Sequence, residues 1–357
     1  MKLNQYIQQL KKYRTLYIWG AGSAGQEILQ FLRNELSPEK VFFVDNNPAT
    51  WHSEKDGCLV LCPQDVPGLV QQDTTAKILI AARDNVQIFS QISRMGISAD
   101  QIDQNILGIV RNLYQCDAEG IFSADREKIQ QARALLLDDR SIEIFDRILA
   151  YRRTGDSAFL DGLSDAPEDQ YFQKELFTPG CQEIFVDCGS YTGDTLKALL
   201  KRTDNSICGG YLFEPDRTAL TQLIEYVSSL SHQNIHIYPY GCWHSDCDLS
   251  FAESGSWSSK VVPAGENKIH GVRVDNVVAE HPITFVKMDI EGSEREALEG
   301  MRQSIQRHHP VLAISIYHKL TDLYEIPLQI RDIDPSYRLY IRCYAPNSDT
   351  EIVCYAL

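Results

Sequence analysis

Positive charge is scarce in this sequence: 34 lysines and arginines stand against 49 aspartates and glutamates, for a formal net charge of -15. A surface that tracks a phosphate backbone concentrates basic side chains. The local basic runs, Lys11-Lys-Tyr-Arg14 and Tyr151-Arg-Arg153, are short and read as solvated helix faces, so nucleic acid is not an expected partner. Long apolar runs are also missing. None approaches the roughly 18 residues that a membrane-spanning helix needs. The stretch from Met1 to Arg14 alternates polar and apolar residues at helical spacing and lacks the apolar core of a secretory signal. The ten cysteines show no paired CxxC spacing, which argues against a zinc framework. Cys188, Cys208 and Cys354 lie in strand-like apolar runs, where a free thiol packs as a small hydrophobe. Cys242 and Cys247 flank a histidine-bearing stretch, but two cysteines do not make a metal site. The expectation is a reduced, cytoplasmic protein without a membrane span. No repeat of solenoid length is present.

What is present, within 357 residues, is a strand–loop–helix pattern used twice. The first copy is Tyr17-Ile-Trp-Gly20-Ala-Gly22-Ser-Ala-Gly25, with Asp45 closing the next apolar run, Val41-Phe-Phe-Val-Asp. The second is Ile184-Phe-Val-Asp187-Cys-Gly189-Ser-Tyr-Thr-Gly193-Asp194, with Glu214 closing Gly210-Tyr-Leu-Phe-Glu. In each, an acid lies roughly 20 residues beyond the last glycine, the distance at which a carboxylate meets an adenosine ribose. Strands alternating with helices imply parallel sheets covered on both faces. The fold class expected is α/β: two Rossmann-like units, over 1–115 and 181–357, joined by a helical connector over 116–180. The connector has two amphipathic stretches, Ala124 to Leu137 and Ser141 to Arg153. The region 248–275 suggests a β excursion. The chain ends in two strands joined by Pro346-Asn-Ser-Asp349 with no helix between them. That is a hairpin, and it makes one edge strand antiparallel.

The two loops differ in charge. A diphosphate at a helix N-terminus uses free N–H groups and the positive end of the dipole. In the second loop Asp194 occupies that first turn and Asp187 ends the preceding strand, so together they repel a pyrophosphate. They favour a cationic ligand with an adenosine and no phosphate. S-adenosylmethionine is such a ligand, with a sulfonium, an ammonium and two free ribose hydroxyls that Glu214 can accept. Gly189 and Gly193 let the backbone approach without a Cβ.

The second half resembles the FkbM family of S-adenosylmethionine-dependent methyltransferases. The residues that carry the resemblance are Val186-Asp-Cys-Gly-Ser-Tyr-Thr-Gly-Asp-Thr195, Phe213-Glu-Pro-Asp216, Tyr238-Pro-Tyr-Gly-Cys-Trp243, Thr284-Phe-Val-Lys-Met-Asp-Ile-Glu-Gly-Ser-Glu294 and Ile314-Ser-Ile-Tyr-His-Lys319. It covers roughly 170 to 357 of this sequence, and Lys287-Met-Asp289-Ile-Glu291-Gly292-Ser-Glu294 is its most specific piece. The resemblance implies a class I methyltransferase sheet of seven strands with a terminal antiparallel hairpin. It also implies methylation of a hydroxyl on a sugar, glycan or related natural product. A departure lies at Arg342-Cys343-Tyr344, where relatives carry a histidine. The expected cofactor set is Asp187, Gly189, Ser190, Tyr191, Gly193, Asp194, Glu214, Pro215, Asp216, Gly241, Cys242, Trp243 and Asp289. Trp243 is expected to offer a stacking surface or pocket wall for adenine, and Ser254-Gly-Ser-Trp257-Ser-Ser259 a lid over the acceptor, with a core tryptophan packed on the sheet the equal alternative for each.

An alcohol acceptor needs a base, or a metal that lowers its pKa, before it can displace a sulfonium. Asp289, at a strand's C-terminal end, is the first choice for orientation or base work, with Glu291 second. His318 is a further candidate base, and Lys287 shares the face of Asp289 and should pair with an acid. Glu294 reads equally well as a helix-terminus acid. A divalent metal is compatible with this chemistry, but no ligand set is evident and none is assigned.

The first loop, Gly20, Gly22 and Gly25 with Asp45, carries no acid within it and leaves its helix terminus open for phosphate. It resembles the small Rossmann-like domain that precedes bacterial sugar-modifying catalytic domains, which implies a nucleotide or nucleotide-sugar ligand. NAD and a purely structural role remain alternatives. The competing functions are therefore an NAD-dependent oxidoreductase or epimerase built on the first loop, and a non-catalytic nucleotide-binding scaffold. The N-terminal half lacks a Tyr-x-x-x-Lys pair, which weighs against the oxidoreductase. The expected partner is a small-molecule or glycan acceptor, and a homo-oligomer is left open.

Overall fold

A computed structural model of the chain describes residues 3–36, 38–82, 85–230, 234–252, 259–265, 267–278 and 281–357. The chain divides into two compact units. The first comprises Met1–Asp125, Asp146–Ser164 and Pro346–Asp349; the second comprises Arg126–Phe145, Asp165–Ala345 and Thr350–Leu357. Residues 116–180 are thus distributed over both. Among the described residues, no helix is long and apolar enough to cross a membrane.

The first unit is built on β1 (Thr15–Trp19), β2 (Lys40–Val44), β3 (Glu54–Lys55), β4 (Cys58–Leu61), β5 (Ala76–Ile80) and β6 (Ile102–Asp103). Their spatial order is β3-β4-β2-β1-β5-β6, all pairs parallel except β3 with β4. Successive side chains of a strand point to opposite faces, and β1 shows this directly. Leu16 and Ile18 join a cluster with Ile28, Leu29, Phe31 and Leu32 of the helix Ser23–Glu35. Tyr17 and Trp19 join another with Val66, Val70 and Ile92. Both faces are covered, which is why the strand is apolar from Leu16 to Trp19.

The second unit holds β7 (Ile184–Cys188), β8 (Gly209–Phe213), β9 (Ile235–Tyr238), β10 (Gly241–Cys242), β11 (Cys247–Ala252), β12 (Lys260–Val261), β13 (Lys268–Val272), β14 (Phe285–Met288), β15 (Val311–Ser315), β16 (Leu339–Cys343) and β17 (Ile352–Ala356). Seven form one sheet in the order β16-β17-β15-β14-β7-β8-β9. The expected excursion is a small sheet, β10-β13-β11-β12. The terminal hairpin corrects one expectation. The reversed strand is not at the edge: β17 pairs antiparallel with β15 and with β16, so it lies inside the sheet. Composition explains the placement. Ile352-Val-Cys-Tyr-Ala356 is buried at every position, as an interior strand must be, while β16 carries a half-exposed Tyr340.

Candidate active site

The chemistry-bearing residues collect at the C-terminal ends of β7, β8, β14 and β15, where ligands of open α/β sheets bind. The loop after β7 turns tightly, with Gly189 at φ +83°, Tyr191 at +47° and Gly193 at +87°. A Cβ on Gly189 would collide with the carbonyl oxygen of Asp289 beyond β14, and one on Gly193 would stand 2.7 Å from the Tyr226 ring. Both glycines thus permit close approach in a backbone region that other residues rarely occupy. The helix Asp194–Arg202 follows, with Asp194 exposed in its first turn.

Glu214 holds this loop in place. Its carboxylate accepts the N–H of Tyr191 at 2.7 Å and that of Asp216 at 2.8 Å. Burial pushes its pKa up to about 7, against the pull of those two bonds. Beneath the loop, parallel pairing sets Asp187 beside Lys287. The two form a buried ion pair at 3.2 Å, and the Lys287 ammonium also donates to the Gly189 carbonyl at 2.6 Å. Burial raises Asp187 to about 6 although Lys287 pulls the other way. Burial alone would discharge Lys287, but Asp187, Asp289 and Asp194 outweigh it and raise its pKa.

On the opposite side, Asp289 accepts hydroxyl bonds from Tyr171 at 2.7 Å and from Tyr317 at 3.3 Å. Glu291 and Gly292 turn the chain at φ +56° and +96°. Glu294 then opens the helix Glu294–Gly300 and reaches back to the N–H groups of Ile290, at 2.9 Å, and Gly292, at 3.4 Å. It ties the turn that carries Asp289 and Glu291, rather than capping its own helix. His318 stands 3.3 Å from Asp289, 3.6 Å from Glu291 and 3.0 Å from Glu294. Burial opposes its charge, yet Glu294, Glu291 and Asp289 prevail and hold its proton well above the usual range.

Between the two sides lies a cleft of about 200 Å³. Of the expected residues, Gly189, Tyr191, Asp194, Glu214, Pro215, Gly241, Cys242, Lys287, Asp289 and Glu291 line it. Burial and the neighbouring Cys188 raise the Cys242 thiol well above its ordinary value, so it is an uncharged wall.

Other expected positions take different places. Asp187 is fully buried and paired, so its charge is not offered to a ligand. Ser190 is buried with its hydroxyl on the Asp187 carbonyl, and Gly193 packs against Tyr226. Asp216 caps the helix Arg217–Ser229 through the N–H groups of Thr218 and Ala219. Trp243 continues the small sheet, its N–H on Val272, and the aromatic residue that reaches the cleft from this segment is Tyr240. Held as a cation, His318 is not a ready proton acceptor. Arg342 is buried on Asp138 at 2.6 Å. The segment 254–258 expected to form a lid lies outside the described residues.

The sequence reading missed Tyr171, Tyr240, Tyr317 and Glu351, all on the cleft wall. Tyr317 directly precedes His318. Tyr171 comes from the segment before the sheet, at φ +65°, and has no sequence signal.

In the first unit, Gly20, at φ +115°, meets the Ala81 carbonyl, and Gly25 lies against Gly20 and Phe43. Gly22 opens the helix Ser23–Glu35 with free space around it. Asp45 accepts the N–H groups of Ala21 and Asn47, each at 2.8 Å, and Lys55 donates to the Ala21 carbonyl.

The sheet order, the reversed strand and the cleft at the strand ends define a class I methyltransferase-like fold. Residues 187–339 match the methyltransferase FkbM domain. A crystal structure of methyltransferase FkbM from Methylobacillus flagellatus KT is similar over 99% of this chain and 93% of its own, with 23% identity and a TM-score of 0.74. An rRNA methylase from Streptococcus thermophilus covers 50% of this chain and 87% of its own, at 18% identity and a TM-score of 0.33. Aeropyrum pernix fibrillarin, with natively bound S-adenosyl-L-methionine, covers 53% and 76%, at 10% identity and a TM-score of 0.34. No curated protein matches the chain.

Proposed function

We propose that the second unit transfers the methyl group of S-adenosylmethionine to a hydroxyl of a small-molecule acceptor: a sugar, glycan or related natural product. The observation that carries this reading is the charge of the cleft. Asp194, Glu214, Asp289, Glu291 and Glu351 face it, against Lys260 and Lys287. Such a wall repels a diphosphate and attracts a sulfonium and an ammonium. Asp187 no longer contributes to that argument, because Lys287 neutralises it. The remaining lone pairs of Glu214 would receive the ribose hydroxyls. The ten free cysteines fit a reduced, cytoplasmic setting.

In the reaction the acceptor oxygen attacks the methyl carbon in line with sulfur. A C–O bond forms, the C–S bond breaks, and S-adenosylhomocysteine leaves with the bonding pair. The hydroxyl proton must be removed. Asp289, fixed by Tyr171 and Tyr317, would orient the acceptor, and Glu291 beside it would take the proton. Orientation of this kind supplies much of the acceleration in a displacement.

The test is transfer of labelled methyl from S-adenosylmethionine to a panel of sugars, glycosides, peptides and RNA. Label in an alkali-stable ether of a hydroxyl compound is the expected product. Asp289→Asn should lower turnover about 100-fold or more while S-adenosylhomocysteine still binds. Undiminished turnover in that variant would remove Asp289 from the mechanism, and label found only in peptide or RNA would overturn the acceptor class.

A further inference from the structure

Behind the acid wall of the cleft, three separate segments bring a histidine and two carboxylates together. Asp289 follows β14, Glu294 opens the next helix, and His318 follows β15. One ligand atom from each lies within 4.8 Å of the others. Two of the three are buried, with 8% of the His318 side chain and 1% of that of Glu294 exposed, and Asp289, at 20%, opens to the cleft. Among the described residues, neither ring nitrogen of His318 makes a hydrogen bond of proper geometry, and neither does Glu294 Oε2. Yet both ring nitrogens face carboxylates, Nδ1 at 3.0 Å from Glu294 and Nε2 at 3.3 Å from Asp289.

Buried charges are ordinarily paired, or they coordinate a metal. Here Asp289, Glu291 and Glu294 converge on one imidazole, so negative charge remains in excess even when that ring is protonated. Ligands about 2.1 Å from a cation stand about 3.0 Å apart on an octahedral edge and about 3.4 Å apart on a tetrahedral one. The 3.3 Å between His318 Nε2 and Asp289 falls in that range; Glu294 faces the other ring nitrogen, and one ligand atom from each of the three residues lies within 4.8 Å of the others. Two carboxylates and an imidazole are a donor set for a hard divalent ion such as Mn2+.

We propose that Asp289, Glu294 and His318 form a binding site for a divalent cation of the Mn2+ type. The site stands apart from the methyl-transfer reading. If that reading also holds, a cation here lies next to the wall that receives the acceptor, where it would bind the hydroxyl oxygen and make its proton more acidic.

The test uses the full chain, stripped with a chelator and titrated with Mn2+ in the absence of any S-adenosyl compound. Electron paramagnetic resonance counts free and bound ion. One Mn2+ per chain is expected, with nitrogen modulation from a single imidazole in the spin-echo spectrum. His318→Gln should abolish that modulation, and Asp289→Asn should weaken binding at least tenfold, both with circular dichroism of the folded protein. Absence of bound Mn2+ in the wild type, or bound Mn2+ without nitrogen modulation, overturns the site. Because the wild-type spectrum alone decides this, a variant that fails to fold does not rescue the proposal. Mn2+ binding without methyl transfer would retain the site and reject the reaction, and the reverse result would do the opposite.

Discussion

Glu214 lines the cleft and holds its glycine loop. Its folded pKa, near 7, lies above the ordinary carboxylate value because burial outweighs the bonds from Tyr191 and Asp216. Ribose hydroxyls donate to a carboxylate and therefore select the ionised form. Affinity for S-adenosylhomocysteine should rise as pH passes upward through about 7 and fall below it. Calorimetry between pH 6 and 8 checks this, and Glu214→Gln should flatten the profile. A pH-independent wild type would detach Glu214 from the ligand. The Asp187–Lys287 pair makes a stability prediction. Removing one partner of a buried pair strands the other charge, at a cost of about 3–5 kcal/mol. Lys287→Met should therefore lower the urea unfolding free energy by about that amount. Adding Asp187→Leu should recover most of the loss. An additive double variant would mean that the pair is not coupled.

At the scale of elements, the same device recurs in both units. Asp45 accepts the N–H of Ala21 in its loop and that of Asn47 two residues on. Glu214 does the same with Tyr191 and Asp216. The strand-end acid is thus a clamp on the glycine loop. Gly189 sets the second loop against the Asp289 carbonyl, so Gly189→Ala combines a left-handed backbone with a collision. Its cost should be about 2–4 kcal/mol, read by chemical denaturation; a change under 1 kcal/mol, taken as roughly the backbone term alone, would mean that the loop yields easily. Much of this level was legible in the sequence. Apolar runs closed by an acid, with glycines at fixed offsets, placed both loops and most strands. The hairpin gave antiparallel pairing, but it could not say on which side of the sheet β17 would insert. The all-apolar Ile352–Ala356 held that answer, because an interior strand is covered on both faces. The charge state of His318 was not legible, since it depends on acids that only the fold assembles. The contribution of Tyr171 was hidden for the same reason, because it enters from outside the sheet.

At the scale of the whole molecule, one chain carries two glycine loops in different charge settings. The second unit bears an acid-walled cleft and contains residues that match the methyltransferase FkbM domain. The first has an open glycine at its helix start and a lysine on its loop. A thermal-shift panel of S-adenosylmethionine, S-adenosylhomocysteine, NAD and UDP-sugars should separate the two. The S-adenosyl ligands should act on the wild type and lose their effect in Glu214→Ala. A stabilisation by NAD or a UDP-sugar should survive that change. The most direct measurement of the central claim is calorimetric titration of the full chain with S-adenosylhomocysteine. One site per chain is predicted, and saturation at 100 times the dissociation constant should add about 2.7 kcal/mol to stability. Absence of both heat and stabilisation with either S-adenosyl ligand would contradict the account.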